Sequence, residues 1–450
     1  MSVVVEGGCG WCLDTCSLID QGYEKCLTRE GDTWSKMKAR FKRRCFLILK
    51  PHCGVKPRGA AVEENVKLEM LPKKRKRKGK QSHLNQGEID SNAFHEKVRC
   101  VILEETKSLV ESARRLGYFQ GGTNPTEDPL PGHECNLASL CDMAKDLPGV
   151  DDDDQTDCAQ LLVDERGCTS HLDLFSRVTE HTSDCAAAVT LMGEEYVIPP
   201  RTAFLLSDFS RMEPLLRYGR KFDVIVMDPP WENKSVKRSR RYNSLPSSQL
   251  KRLPIPSLAS PNCLVVTWVT NRPKHLRFVR DELYPHWGVE IVAEWLWVKV
   301  TTEGQFVFPL DSPHKKPYEV LVLGRYCRSQ EKSSSESFST PVENQRLVVS
   351  VPSALHSHKP SLSDRNKEAG ETLLQDVCSG QHPSLYPAVG LHRGVEAIHW
   401  RGRLVLRVVC TKSATRLDQL GQRGPPISTY ELFHLDTCRQ TDSVVRLLPH

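Results

Sequence analysis

The chain has 450 residues, a net charge of +6, 39% hydrophobic residues and 26% charged residues. That length allows about two or three domains, and the composition is that of a globular protein with irregular parts. No run of 18 or more apolar residues occurs, which argues against a transmembrane helix and membrane partners, and no basic-then-apolar leader opens the chain, which argues against secretion.

The 17 cysteines are scattered and odd in number, as fits reduced thiols in the nucleus or cytosol. Residues 1–65 show no sustained period and read as a variable, poorly ordered leader. Within it, Cys9-Gly-Trp-Cys12 with Cys16 and Cys26 has the beginnings of a zinc cluster, but the later spacing fits no common finger and no histidine pair follows. No metal site is therefore expected. Residues 66–80 carry Pro72-Lys-Lys-Arg-Lys-Arg-Lys78, a self-repelling and solvated basic run. Such a run is a handle for a nuclear import receptor or a nucleic-acid patch, and it points to the nucleus, with the cytosol as second compartment.

Residues 81–195 read as a helical accessory domain. Phe94, Val98, Val101, Ile102, Val110 and Ala113 recur near a period of 3.6 across 90–116, and Gly117 is a natural stop. A shorter helix is predicted over 137–147, ended by Pro148, and the acidic stretch 151–154 reads as a solvated turn.

From about 196 to 362 the pattern becomes that of an α/β domain. Strands are predicted at 222–227, 263–269, 289–300, 318–323 and 346–351. Several are continuous Val-rich runs, as in sheets covered on both faces. A helix is predicted over 270–283, with Thr270 or Asn271 as its cap and Pro273 in the first turn.

The most informative residues are Asp228-Pro229-Pro230-Trp231, which follow the 222–227 strand. In an open α/β sheet the C-terminal ends of strands are where ligands bind. The adenine N6 amine is a poor nucleophile because its lone pair is delocalised into the ring. The Asp228 carboxylate and the Pro229 carbonyl can each accept one N6–H bond, drawing the nitrogen toward tetrahedral geometry and aiming its lone pair at a methyl donor. Pro229 and Pro230 stiffen the turn and bring no competing N–H. Trp231 offers a face for base stacking, worth about 1–3 kcal/mol.

Next comes a basic loop, Asn233-Lys-Ser-Val-Lys-Arg-Ser-Arg-Arg-Tyr242. Asn233, Lys234, Lys237, Arg238 and Arg241 suit phosphate and polar contacts beside a base pocket, and Tyr242 suits stacking. Further on, Asp311-Ser-Pro-His-Lys-Lys-Pro-Tyr-Glu319 and His356-Ser-His-Lys-Pro360 are rich in hydrogen-bonding groups, and Lys359 can pair with a carboxylate. A zinc-dependent base-modifying enzyme is disfavoured, because the His-x-Glu…Cys-x-x-Cys arrangement is missing. A non-catalytic nucleic-acid-binding protein is the competing reading.

Together these motifs resemble the N6-adenine methyltransferase family that includes the catalytic subunit of the mRNA adenosine methyltransferase. The resemblance rests on Asp228-Pro-Pro-Trp231, the loop with Arg241-Tyr242, Pro261-Asn-Cys-Leu-Val-Val-Thr-Trp-Val-Thr-Asn-Arg272 and Lys274-His-Leu-Arg-Phe278. Ala293-Glu-Trp-Leu-Trp-Val-Lys299, Phe308-Pro-Leu-Asp-Ser-Pro-His-Lys-Lys-Pro-Tyr-Glu319 and Leu355-His-Ser-His-Lys-Pro360 add to it. It implies a Rossmann-like methyltransferase sheet, S-adenosylmethionine as cofactor, and transfer to adenine N6 in nucleic acid. The implied substrate is RNA, 2′-O-methyladenosine of U2 small nuclear RNA, with DNA adenine as the second possibility. Carried over by position, Asp228 and Pro229 hold N6, and Trp231 and Tyr242 bracket the base. His314 joins the substrate contacts, Asp208 and Phe209 with Asp228 meet the cofactor, and Lys359 reaches its methionine carboxylate. A monomer is expected.

After Pro360 the family pattern stops. A strand ending Glu-Leu-Phe-x-Arg and a Gly-Asn-Glu segment that holds the cofactor ribose are expected, but residues 363–450 carry neither, apart from an isolated Tyr430-Glu-Leu-Phe433. The tail shows one strand-like run, 404–410, and reads as a divergent replacement. A sheet left short of a strand exposes an edge, and weak or absent activity is the expectation.

Overall fold

The computed structural model describes residues 3–17, 27–30, 33–36, 46, 48–51, 86–120, 159–162, 172–183, 187–191, 194–198, 202–205, 212–232, 246–312, 315–327, 342–353, 359–360, 362, 394–400, 403–409, 434–435 and 441–442. The expected helix at 137–147, the acidic stretch and the basic run at 72–78 lie outside them.

Twelve strands of the described residues form one sheet: β1 (Val3–Gly7), β2 (Gly10–Leu13), β3 (Ala159–Leu161), β4 (Val178–His181), β5 (Thr202–Leu205), β6 (Phe222–Asp228), β7 (Ala259–Val269), β8 (Val289–Lys299), β9 (Tyr318–Tyr326), β10 (Leu347–Ser350), β11 (Gly394–Trp400) and β12 (Arg403–Val409). Their order across the sheet is β1-β2-β10-β8-β9-β7-β6-β12-β11-β5-β4-β3. β6 is parallel to both neighbours, β7 and β12, whereas β9 runs antiparallel to β7 and β8. The architecture is thus α/β with a mixed sheet. The five strands expected at the centre form where Val, Ile, Leu and Trp cluster, and their side chains are the core: Val224, Ile225, Val265, Val266, Val298, Val322 and Val349 are fully buried. Tyr284 enters this core and donates or accepts through its hydroxyl with Thr267 Oγ1 (3.0 Å), while the carbonyls of Val322 (2.9 Å) and Val265 (3.1 Å) complete its surroundings.

Helix α1 (Gln86–Arg115) matches the amphipathic segment, and Val98, Ile102, Leu109, Val110 and Ala113 form its buried face. Short helices α2 (Glu213–Arg217), α3 (Ser247–Leu250) and α4 (Ile255–Leu258) flank β6 and β7 in sequence. The helix expected at 270–283 is α5 (Pro273–Phe278), which passes through a π segment (Val279–Leu283) into α6 (Tyr284–Trp287). Its first flanking residue is Arg272, not Thr270 or Asn271, and no side chain caps it. Pro273 explains this: a residue before proline is pushed out of the α region, and Arg272 has φ −130° and ψ 112°. The helix runs beyond 283 and stops at Gly288, whose φ of 68° is left-handed.

Three expectations for the flanks are corrected. The first is the poorly ordered leader: β1 and β2 are a hairpin, and β2 lies parallel to β10, pairing Gly10 with Leu347 and Leu13 with Ser350. Four residues are too few to show a period. Gly10 is required here, since a Cβ would stand 1.9 Å from the Leu347 carbonyl oxygen. Second, the stretch 81–195 is not purely helical. After α1 it supplies β3 and β4 to the sheet, and a separate hairpin begins at Ala187–Leu191. Third, the edge that the divergent tail was expected to leave open is covered. β12 pairs with β6 from Val405 opposite Val224 to Val409 opposite Asp228, and β11 bridges β12 to β5.

Candidate active site

The site lies where β6 ends. The strand delivers Asp228 at its last position, and Pro229-Pro230 turn the chain so that it cannot continue the ladder. The Trp231 backbone N–H donates to the Pro229 carbonyl at 2.9 Å, which closes the turn and leaves that oxygen one lone pair for an outside donor. Trp231 itself is turned inward and is 6% exposed. Its indole N–H donates to the Trp268 carbonyl at 2.8 Å, and its ring lies 4.9 Å from that of His275 on α5. His275 Nε2 meets the Glu232 carbonyl at 2.9 Å. Because a carbonyl only accepts, Nε2 carries the proton. Burial favours the neutral ring and lowers its pKa. Trp231 thus fastens the turn to β7 and α5.

Beside Asp228 stands a line of alternating charge. Lys359 Nζ is 3.5 Å from Asp228 Oδ1 and 2.9 Å from Glu319 Oε2. The other oxygen of Glu319 accepts from Lys299 Nζ. The sources are four: the last residues of β6 and β8, the second residue of β9, and the segment after β10. Two tryptophans wall the row. Lys299 Nζ lies 4.3 Å from the centre of the Trp297 ring, and Lys359 Nζ lies 5.9 Å from those of both Trp268 and Trp297. The two rings meet edge to face at 5.7 Å, and Trp297 donates to Ser350 Oγ at 2.9 Å. Burial alone would neutralise these groups. At Glu319, Lys299 and Lys359 outweigh that effect and hold the carboxyl well below the usual carboxylate range. At Lys359, Asp228 and Glu319 outweigh it and hold the ammonium well above the usual lysine range.

Of the residues expected from sequence, the structure brings Asp228, Pro229, Pro230, Trp231 and Lys359 together. Asp208, Phe209, Asn233, Lys234, Lys237, Arg238, Arg241, Tyr242 and His314 lie outside the described residues. Glu319, Lys299, Trp268, Trp297 and His275 belong to the site although no role was read for them. The available signal was position, since Lys299 and Glu319 are charges at the ends of apolar strands. Among the described residues no group of three or more His, Cys, Asp or Glu could hold a metal ion.

α1 braces the strand that carries Glu319. The His95 ring is buried, with Nδ1 3.2 Å from the Tyr318 hydroxyl and Nε2 3.3 Å from Asp311 Oδ1. Arg99 grips the same carboxylate with two bonds of 2.7 and 2.9 Å, and Arg277 on α5 bonds Asp90 at 2.7 Å.

An acidic turn, two prolines and a buried lysine thus meet at the C-terminal end of a central parallel strand of a mixed α/β sheet, the edge at which such sheets bind ligands. The MT-A70 family model matches residues 222–368. The chain is 48% identical over 320 residues to the N(6)-adenine-specific methyltransferase METTL4 of Homo sapiens, covering 68% of this chain and 66% of that protein. It is 37% identical over 179 residues to the N6-methyladenosine RNA methyltransferase MTA1 of Pyricularia oryzae, covering 38% of this chain and 46% of the relative. It is also 37% identical over 180 residues to the DNA N6-methyl methyltransferase of Caenorhabditis elegans, covering 40% and 47%. Residues 222–368 thus carry the match to the MT-A70 family, and over 68% of its length the chain is similar to an N6-adenine methyltransferase. It spans 66% of the length of the human relative.

Proposed function

We propose that this chain is an S-adenosylmethionine-dependent N6-adenine methyltransferase acting on nucleic acid. The observation that carries the reading is the contact of Asp228 with Lys359 at the end of β6, 3.5 Å apart and walled by Trp268 and Trp297. Methyltransferases of this family are in general S-adenosylmethionine-dependent. The residues fit that cofactor, because an amino-acid moiety carries an ammonium and a carboxylate, and Asp228 and Lys359 offer the opposite charges side by side. The chemistry supplied by the bound cofactor is an electrophilic methyl on a sulfonium, whose C–S bond breaks as the N6–C bond forms. Asp228 and the Pro229 carbonyl orient N6 by accepting its hydrogens, and Asp228 accepts the proton that N6 gives up after transfer. The low exposure of Lys359 keeps water from competing for that carboxylate.

RNA is the proposed substrate class, as 2′-O-methyladenosine of U2 small nuclear RNA, and adenine in DNA is the second. The basic loop 233–242 is proposed to hold the phosphates and 72–78 to engage an import receptor; the proposed compartment is the nucleus, with the cytosol second, and the proposed state is a monomer. The missing ribose-holding segment after Pro360 is proposed to weaken cofactor affinity rather than to disable the turn.

Two measurements test this. Asp228→Ala is expected to abolish methyl transfer to an adenosine-containing oligonucleotide, and transfer that survives the change overturns the assigned role. Calorimetric titration with S-adenosylmethionine is expected to show binding weaker than micromolar, and micromolar binding overturns the proposed loss of affinity.

A further inference from the structure

Lys299 stands at the far end of the charge row that reaches Asp228. Glu319 receives Lys299 on one oxygen and Lys359 on the other, at 2.9 Å. Lys359 in turn is 3.5 Å from Asp228. The side chains of Lys299, Glu319, Lys359 and Asp228 are 22, 18, 10 and 14% exposed, so water screens the row only weakly. Its two positive and two negative charges balance. Any ligand carboxylate that draws on Lys359 would compete with Glu319 for it, and Glu319 would then need another cation. Lys299 is held in place for that task. Its backbone N–H donates to the Pro317 carbonyl at 2.7 Å, and its ammonium rests 4.3 Å from the centre of the Trp297 ring.

We propose that Lys299 is a positioning residue for the reaction: it compensates Glu319, so that Lys359 stays directed at Asp228 and is free to take up a ligand carboxylate. This rests on the methyltransferase reading above. Among the described residues, the charged groups facing Glu319 are Lys299 on β8 and Lys359 after β10, with Asp228 on β6 beyond Lys359. With Lys299 present, Glu319 stays ionised throughout the neutral range. With Lys299 gone, Lys359 is the one cation among the described residues that faces Glu319, it is shared with Asp228, and the Glu319 carboxyl titrates higher than in the parent.

The experiment follows methyl transfer to an adenosine-containing oligonucleotide across pH 6–9 for the full chain and for Lys299→Met and Lys299→Arg. Lys299→Met is expected to lower kcat/KM on the order of 100-fold, the scale of a misplaced reacting group. It is also expected to add an acid limb, with activity lost as pH falls, that the unmodified chain lacks. Lys299→Arg keeps the charge and restores the flat profile. A Lys299→Met profile that superposes on that of the parent, or an arginine variant as impaired as the methionine one, overturns the proposal. Carboxyl-carbon NMR of the same proteins gives a readout without turnover, in which the Glu319 titration moves up in Lys299→Met. An unmoved Glu319 titration overturns the positioning alone, while a parent chain that transfers no methyl group overturns the methyltransferase reading and the role with it.

Discussion

Trp231 gives its indole N–H to the backbone carbonyl of Trp268, 2.8 Å away, and so ties the acidic turn after β6 to the neighbouring strand β7. Trp231→Phe keeps an aromatic ring against His275 but removes the only polar atom of the side chain. A lost buried hydrogen bond with an acceptor left behind costs about 1–3 kcal/mol. Denaturant unfolding is expected to show that loss, with a larger proportional fall in kcat/KM, because the turn that carries Asp228 loosens.

Glu319→Gln tests the centre of the charge row. Removing one partner from a buried ionic cluster costs about 3–5 kcal/mol, and the partial exposure of these side chains places the expected value toward the lower end. The pH dependence has a definite sign. The Glu319 carboxyl is depressed in the folded state, so its contribution is complete above its ordinary value near 4.5 and is lost as pH falls toward the folded value. Lys359 is raised, so its contribution is complete below its ordinary value near 10.5 and is lost only as pH rises beyond it. The stability gap between parent and Glu319→Gln, measured by urea midpoints, is therefore expected to be constant near neutrality and to narrow below about pH 4.

His95 makes the seating of α1 sensitive to acid. Burial lowers the His95 pKa from its ordinary value of 6.5, despite the bond to Asp311 that opposes it. The unfolded chain then takes up a proton that the folded one resists, so stability falls as pH drops through the range near 6 and below. His95→Phe, which fills the same space, is expected to flatten that slope. Hydrogen exchange along 86–115 at pH 7 and pH 5.5 checks it. Equal acid sensitivity in parent and variant would count against the assignment. Neutralising Asp311 by mutation is expected to add a smaller, salt-dependent effect, since that side chain is 60% exposed.

Deleting 394–450 removes β11 and β12 and bares the ladder edge of β6, the strand that bears Asp228. An unpaired central strand invites pairing with other chains. The truncated protein is expected to show a lower unfolding midpoint and higher-order species in light scattering. A truncated chain that stays monomeric with an unchanged midpoint would argue against β12 as the partner of β6.

The centre of the fold was legible because its strands are long and apolar. Phe222–Asp228 and Tyr318–Tyr326 are runs that only a buried strand accommodates. Asp228 was legible too, because a carboxylate followed by two prolines and an indole after such a run is chemically specific. Glu319 and Lys299 were harder to read. Each looks like an ordinary charge at a strand end, and only the antiparallel pairing of β8 with β9 brings them together. The hairpin at Val3–Leu13 escaped notice because its partner, Leu347–Ser350, is supplied by distant sequence and a four-residue strand shows no period of its own. Trp231 was read as a stacking surface from its type and its place in the turn, and the fold gives its N–H an anchoring role as well.

The pairing of Gly10 with Leu347, and of Asp228 with Val409, sets an order of events during synthesis. The hairpin of β1 and β2 lacks its second neighbour, β10, until most of the polypeptide exists, and the flank of the strand that bears Asp228 is closed later still. Contacts so distant along the chain are slow to form, and unpaired strands are the surfaces that associate wrongly while they wait. The acidic turn that is proposed to hold adenine is therefore among the last parts of the molecule to be sealed as the nascent chain folds.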